Sequence, residues 1–556
     1  MNIDSVFGTI GEGDRIHSFD KSHYYLGTVS SVANTGAKVQ IENLSILQGR
    51  ILNNESIYPN SVNYLILIDG ERGLFLGRVN HTGIKDSESI HVLMKSGKLD
   101  QIYPEEDFDV VAFSNASSLI FSPAGFNTVG VHDKVYVATV PVITAYLNSL
   151  ELLDEASGES PLKPFASLSN NPDASFELKP ATLFSRHLMV IGATGSGKST
   201  SALAILNRLH DSKIKFMMID PTGEYRESFS EEEVHKLTLG VDTRIAPGSL
   251  TINQWIGLLE ASSGIQAPAL MNAIQALRFQ KKQGLTGPYV KNLVTHDSIV
   301  TNIATLRAED TAFDLSLLGE QLLQEAVQAD SKGKMKPDDF KLNAIRLLTD
   351  RLNQKMETSD LRRFFSESPE YSLIEQLDHF LSGPKSIYID ASELGATDDT
   401  GGMIVDLISR YVNTHQTETR DAFVMFIDEV HRYTTKQDTE QDSYYQGLNT
   451  LAREGRKQGI YLLLTTQSPN DVSKLVLSQM GSLLIHRLTQ ADELYAVKNF
   501  LDDRTKSRVP YLGKGEAVLS SVNLLQNVEL TIEESTRVHH NSSPSLQRHF
   551  NTSEQE

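Results

Sequence analysis

The sequence predicts an α/β chain in which a parallel sheet carries a phosphate-binding loop, with a small all-β region ahead of it and a helical segment inserted in it. Three observations predict this. Apolar segments of five or so residues alternate with helical stretches after residue 187. The loop Gly192–Ser199 follows the first of those segments without a gap. Before residue 150, short strand-like runs are separated by turn residues.

The bulk properties set the frame. A chain of 556 residues exceeds what one hydrophobic core supports, so several domains are expected. Hydrophobic content of 40% and charged content of 22% are ordinary for a globular protein. No apolar run is long enough to span a bilayer, the N-terminus carries no secretory pattern, and there is no cysteine for a disulfide or a thiolate metal site. These facts point to the cytoplasm. The formal charge of −20 excludes nucleic-acid binding over the whole surface, so any such contact must come from locally concentrated basic groups.

In the N-terminal region, Tyr24–Val32 and Ala37–Ile41 read as strands joined by Asn34-Thr35-Gly36. Tyr64–Ile68 and Leu74–Val79 read as a hairpin, and Val135–Ile143 as a further strand. Together they suggest a barrel over 1–160. The Ser-, Pro- and Asn-rich stretch Ala156–Ser175 reads as a linker. The core strands expected next are His187–Ile191, Lys215–Ile219, Ser386–Ile389, Phe423–Ile427, Tyr461–Thr465 and Ser482–His486. They divide the core into 161–254 and 384–534. Residues 255–383 form the insertion, with helical spacing in Gln321–Val327 and Ala344–Leu352. The polar end, 535–556, reads as a tail or arm.

Gly192-Ala193-Thr194-Gly195-Ser196-Gly197-Lys198-Ser199, followed by Thr200, matches the pattern G-x-x-x-x-G-K-[ST]. Glycines let the backbone close around phosphate, and the amides of the loop and the following helix N-terminus offer partial positive charge to the anion. Lys198 is expected to reach the β- and γ-phosphates of ATP, and Ser199 to ligate Mg²⁺. Phe423–Ile427 ends in Asp428-Glu429. Asp428 is expected at the metal and Glu429 at the attacking water, the positioning and charge neutralisation that phosphoryl transfer requires. Histidine pairs and clusters suggest no other metal site. His431 reads as a packing or hydrogen-bonding residue, and His539-His540 as exposed.

Three further segments narrow the class: Asp220-Pro221-Thr222-Gly223-Glu224-Tyr225, Arg453-Glu454-Gly455-Arg456-Lys457-Gln458-Gly459 and Leu462-Leu463-Leu464-Thr465-Thr466-Gln467-Ser468-Pro469. With the phosphate loop and the acid pair they resemble the HerA branch of the HerA/FtsK superfamily. Val430 stands where that branch often has alanine. The resemblance implies a RecA-like ATPase core, a HAS-barrel at the N-terminus and an inserted helical bundle. It implies a homohexamer that drives double-stranded DNA through its pore, acting as a translocase or helicase. It also implies a separate nuclease or NADase-type effector docked on the barrel, in DNA-end processing or phage defence. Gln467 is implied as a sensor of the γ-phosphate or lytic water. Arg456 and Arg453 are implied near a neighbouring subunit's nucleotide, Arg456 foremost, and the resemblance gives a catalytic role to an arginine just before the phosphate-loop strand, where Arg186 stands. Glu224 stands near the expected γ-phosphate. Arg432 to Lys436 and the loop around Tyr225-Arg226 are the candidate DNA contacts. The alternative is a nucleotide-gated ring that assembles and activates its effector. A third reading, a type IV secretion coupling motor, is disfavoured because the sequence shows no membrane-spanning segment.

Overall fold

The computed structural model describes Ile3 and residues 21–539, apart from 34–35, 53–54, 58, 60–61, 99–101, 116–118, 153–157, 170, 359–360, 367, 369–371, 394–399, 418 and 435–444. The chain divides into two units. The first holds residues 1–185, 500–508 and 516–533, and the second holds the remainder.

In the first unit, alternating strands close into a barrel. The strands are β1 (Tyr25–Ala33), β2 (Gly36–Ile41), β5 (Leu65–Gly70), β6 (Gly73–Gly83), β7 (Glu105–Asn115) and β8 (Lys134–Val137). A separate small hairpin supplies β3 (Arg50–Leu52) and β4 (Glu55–Ile57). The barrel order is β1-β2-β7-β6-β5-β8, with antiparallel neighbours throughout. Closure leaves no free sheet edge. Leu26, Val29, Val39, Ile66, Ile68, Leu76, Val79 and Phe108 are fully buried, and Ile66, Ile68 and Phe108 close on Gly77 from one face. The β5–β6 hairpin pairs Gly70 with Gly73, so its two-residue turn is Glu71-Arg72 and Asp69-Gly70 ends the strand. The turn residues Asn34 and Thr35 lie outside the described residues.

Two expectations for this unit are corrected. The run Val135–Ile143 is a strand only to Val137, and Val140–Asn148 is a helix with Pro141 in its first turn. Proline fits there because it removes a donor that has no helical partner anyway. The expected linker carries β9 (Ala166–Leu168) and β10 (Asn171–Phe176), which pair with each other. Leu162 and Phe165 are buried just before them. Polar composition misled because only a few apolar side chains anchor this segment.

The second unit is built on seven parallel strands: β11 (Leu188–Ile191), β12 (Lys215–Asp220), β13 (Val234–Thr238), β16 (Ser386–Asp390), β17 (Phe423–Ile427), β18 (Ile460–Thr466) and β19 (Ser482–Ile485). Their order is β13-β16-β12-β17-β18-β11-β19. All but β13 are almost fully buried, as apolar strands covered on both faces must be. The edge strand β13, with the polar sequence VHKLT, was not anticipated. One strand, β18, stands between the phosphate-loop strand β11 and the Asp428 strand β17. This is the RecA-like arrangement. The first unit also contains the later hairpin β20 (Glu516–Ser521) and β21 (Val528–Ile532), which joins β9.

Between β13 and β16 run the helices Ile252–Leu258, Gln266–Lys282, His296–Ile303, Leu318–Gln324, Asp339–Thr358 and Leu373–Ser382. A short hairpin, β14 (Val327–Ala329) with β15 (Met335–Pro337), lies among them. The expected helix through Val327 thus ends at Gln324. Thr251 opens the first helix with a reciprocal capping box to Gln254. Trp255 stacks on Phe365, ring centroids 5.6 Å apart. Lys291 and Glu325 form a buried ion pair completed by Gln321. The start of the expected tail is anchored: Arg537 reaches Glu233 at 2.7 Å and Asn207 at 2.8 Å and lies over the Phe229 ring.

Candidate active site

Parallel strands end together, so residues far apart in sequence meet at the carboxyl edge of the sheet. Asp220 ends β12 and Asp390 ends β16, Asp428 follows β17, Gln467 follows β18, and the phosphate loop follows β11. The loop is shaped by glycine. Gly195 and Gly197 hold φ of +74° and +112°. A Cβ on Gly192 would stand 2.5 Å from Ser196 Oγ and 2.6 Å from His486 Cβ. The helix Lys198–Asp211 starts directly from the loop.

Lys198 is 7% exposed and its ammonium lies 3.9 Å from Glu429 Oε1. Burial lowers its pKa, while Glu429, Asp428, Glu224 and Glu493 act against that shift. Asp428 is 4% exposed, and burial pushes its pKa up to about 7. Thr465 Oγ1 donates to Asp428 Oδ1 and accepts from the Glu429 amide at 2.8 Å. One hydroxyl on β18 therefore fixes both acids. Glu429 adopts φ of +47°. A left-handed conformation is costly for a side-chain-bearing residue, and such outliers persist where the surroundings over-determine them.

The carboxylate of Glu429 is tied to the loop by a relay. Thr194 Oγ1 donates to Gln467 Oε1 at 2.5 Å, and Gln467 Nε2 donates to Glu429 Oε1. Glu429 Oε2 makes no hydrogen bond; His431 Nδ1 lies 3.3 Å away but is better placed toward Thr466 Oγ1 at 3.2 Å. Burial lowers the His431 pKa, which favours a neutral ring. Glu224 faces Ser199, and its pKa is raised by burial first, then by Asp220 and Glu429.

These residues suit a Mg²⁺–nucleotide. Four carboxylates surround one buried lysine, Asp428 is held unfavourably when charged, and Ser196 Oγ and Glu429 Oε2 are buried without hydrogen bonds. A divalent cation near Asp428 and Ser199 would relieve that crowding of acids. Among the described residues no cluster of three or more His, Asp or Glu forms a separate metal site.

The arginines lie elsewhere. Arg453 is in the last turn of the helix Gly447–Glu454, and Arg456 is in the 3-10 turn Gly455–Gln458 that precedes β18. Arg186 precedes β11. All three are exposed at the amino edge of the sheet, opposite the phosphate loop. Of the DNA candidates, Tyr225 is corrected: it is 1% exposed and packs edge-on against Phe426. Arg226 pairs with Asp390 at 2.7 Å. Arg432 is exposed, and Lys436 lies outside the described residues.

Several participants were not singled out from the sequence. Asp220 accepts from the amides of Thr222, Gly223 and Tyr225 and from the Tyr388 hydroxyl, and so shapes the turn that presents Glu224. His486 is fully buried and bonds Ser201 at 2.9 Å behind the loop. Their only sequence signal was a polar residue at the end of an apolar strand.

The sheet order, the loop and the acid pair define a RecA-like P-loop ATPase. Residues 166–412 match the family described as Helicase HerA, central domain. A protein of Methanocaldococcus jannaschii named a probable helicase is 23% identical over 453 residues, 80% of each chain. The DNA double-strand break repair helicase HerA of Sulfurisphaera tokodaii is 25% identical over 348 residues, 60% of this chain and 62% of that protein. The protein of the same name from Pyrococcus furiosus is 22% identical over 421 residues, 67% and 70% of the two chains. Among solved structures, VirB4 of Thermoanaerobacter pseudethanolicus superposes with a TM-score of 0.47 at 13% identity, over 69% of this chain and 99% of that one. Residues 166–412 of this chain are thus similar to the central domain of HerA helicases, and the relatives matched over a longer stretch carry the same kind of name.

Proposed function

We propose that this ATPase is the motor subunit of a homohexameric ring that moves double-stranded DNA through its pore. In this reading ATP and Mg²⁺ bind at the phosphate loop, with Ser199 and Asp428 at the metal. The metal, when bound, neutralises charge on the phosphates. Lys198 holds the terminal phosphates, Glu429 orients and deprotonates the attacking water, and Gln467 reports the terminal phosphate to Glu429 through the Thr194 relay.

The observation that carries the reading is the two-edged sheet. Strand β18 begins just after Arg456 and ends just before Gln467. At about 3.3 Å per residue its seven residues separate the two by roughly 20 Å. That distance puts Arg456 far from its own subunit's phosphate loop and supports the reading that it serves the nucleotide of a neighbouring copy. Arginine in that role offsets charge on the transferring phosphoryl group. Arg453 and Arg186 share that edge.

Exposed Arg432, three residues after Glu429, is the candidate DNA contact; copies around a ring would concentrate positive charge in a chain of net −20. A separate nuclease or NADase-type effector docks on the barrel in this reading, in DNA-end processing or phage defence. Among the described residues no helix is long and apolar enough to cross a membrane.

The test is ATP hydrolysis with and without duplex DNA. Stimulation is expected, falling with salt and reduced in Arg432→Ala. Hydrolysis indifferent to DNA, with an effector whose activity still requires the ring, would replace the motor by a nucleotide-gated scaffold.

A further inference from the structure

His187 is a buried histidine outside the nucleotide site, 1% exposed, that joins three elements. Its Nε2 donates to the Ala452 carbonyl at 2.9 Å, and its Nδ1 accepts from the Leu462 amide at 3.0 Å. Ala452 is on the helix Gly447–Glu454, which leads directly into the Arg456 turn. Leu462 is on β18, which ends at the Gln467 relay. The His187 backbone itself leads into β11 and the phosphate loop, and its carbonyl accepts from Gly481 and Ser482 ahead of β19.

Nothing in the packing requires an imidazole merely to fill space, because its position is buried and an apolar side chain would serve. What the ring supplies is one donor and one acceptor on opposite sides, at fixed distance. The neutral form alone does this, since a protonated ring has two donors and no acceptor. Burial and the nearby charges of Arg456 and Arg186 hold the His187 pKa down at about 4, opposed by the Ala452 bond. The ring therefore stays in its bridging form throughout the neutral range.

We propose that His187 is a positioning residue for the trans-acting arginine: it fixes the Arg456 turn to the strand that carries the phosphate loop. This rests on the reading that Arg456 serves a neighbouring subunit's nucleotide. A shift of the phosphate-loop strand on nucleotide binding is then passed through one rigid ring to the arginine edge. Each subunit thereby couples its own site to its neighbour's.

Two variants test it. His187→Phe keeps the bulk and loses both bonds. His187→Asn keeps an acceptor close to where Nδ1 stands, which satisfies the Leu462 amide, and gives up the reach to Ala452. The readouts are ring assembly, thermal midpoint, and KM and kcat for ATP. For assembled rings of either variant, kcat is expected to fall on the order of ten- to a hundredfold with KM for ATP within about twofold, as a misplaced catalytic group produces. Adding the change to Arg456→Ala should cost little more, because the two act as one unit. Mixing either variant with Lys198→Ala subunits should restore hydrolysis, since the latter bring intact arginine edges to intact phosphate loops.

A folded His187→Asn ring with near-wild-type kcat, while Arg456→Ala is impaired, overturns the proposal. So does a loss of rate that mixing leaves unrepaired, which places the defect in the subunit's own site. If Arg456→Ala itself hydrolyses ATP normally, it is the reading of the arginine that fails. Should His187→Phe fail to fold, His187→Asn alone decides.

Discussion

Replacing Asp428 with asparagine removes a charge while keeping the shape and the acceptor for Thr465. In the unfolded chain this acid ionises near 3.8; in the folded chain without metal, burial holds its proton until about pH 7. Glu429, Asp220 and Glu224 act in the same direction. The fold is then unpenalised below pH 3.8, loses stability as pH rises from there to about 7, and carries the full penalty above it, because the unfolded state ionises first. At 1.36 kcal/mol per unit, the full penalty is roughly 4 kcal/mol, and roughly 2–3 kcal/mol of it accrues between pH 5 and pH 8. Asparagine carries no such penalty at either pH. Urea unfolding of nucleotide-free protein should therefore show the variant gaining on the wild type by roughly 2–3 kcal/mol between pH 5 and pH 8. A stability difference that is the same at both pH values would refute the assignment of that buried charge to Asp428.

Three other outcomes follow from the same site. In the wild type, Mg²⁺–nucleotide binding should weaken as pH falls below about 7, by up to about tenfold per unit, because Asp428 must then lose a proton to take the metal; titration calorimetry in two buffers reads that proton directly. Glu429→Gln should lower kcat by about 10²–10⁴ with little change in nucleotide affinity, as loss of a general base does. Gly192→Ala should weaken nucleotide binding by about tenfold or more in a fluorescence titration, because the added methyl meets Ser196 and His486, and the latter is fixed to Ser201.

The legible parts of the sequence were those in which one local rule acts alone. Phe423–Ile427 is apolar throughout, contains no glycine or proline, and is a strand with those bounds. The phosphate loop was readable because its glycines answer a backbone demand, seen at Gly195 and Gly197. The parts that were not legible depend on partners distant in sequence. β9 and β10 are polar segments that become strands by pairing with each other and, for β9, with β21, more than 350 residues away. Tyr225 looks like an exposed aromatic in its own neighbourhood, and is buried by Phe426, some 200 residues on. His187 looked like the first residue of a strand. Only the fold reveals that its ring bridges Ala452 and Leu462. The left-handed backbone at Glu429 has no sequence signature either, since β17 and β18 together impose it through Thr465.

Subunit mixing tests the central claim most directly. Lys198→Ala and Arg456→Ala are each expected to be nearly inactive alone. Combined, they should regain hydrolysis that peaks near equal proportions, where an intact phosphate loop most often meets an intact arginine on its neighbour. Absence of hydrolysis at every ratio, from subunits shown to co-assemble, would contradict a nucleotide site shared between copies of this chain.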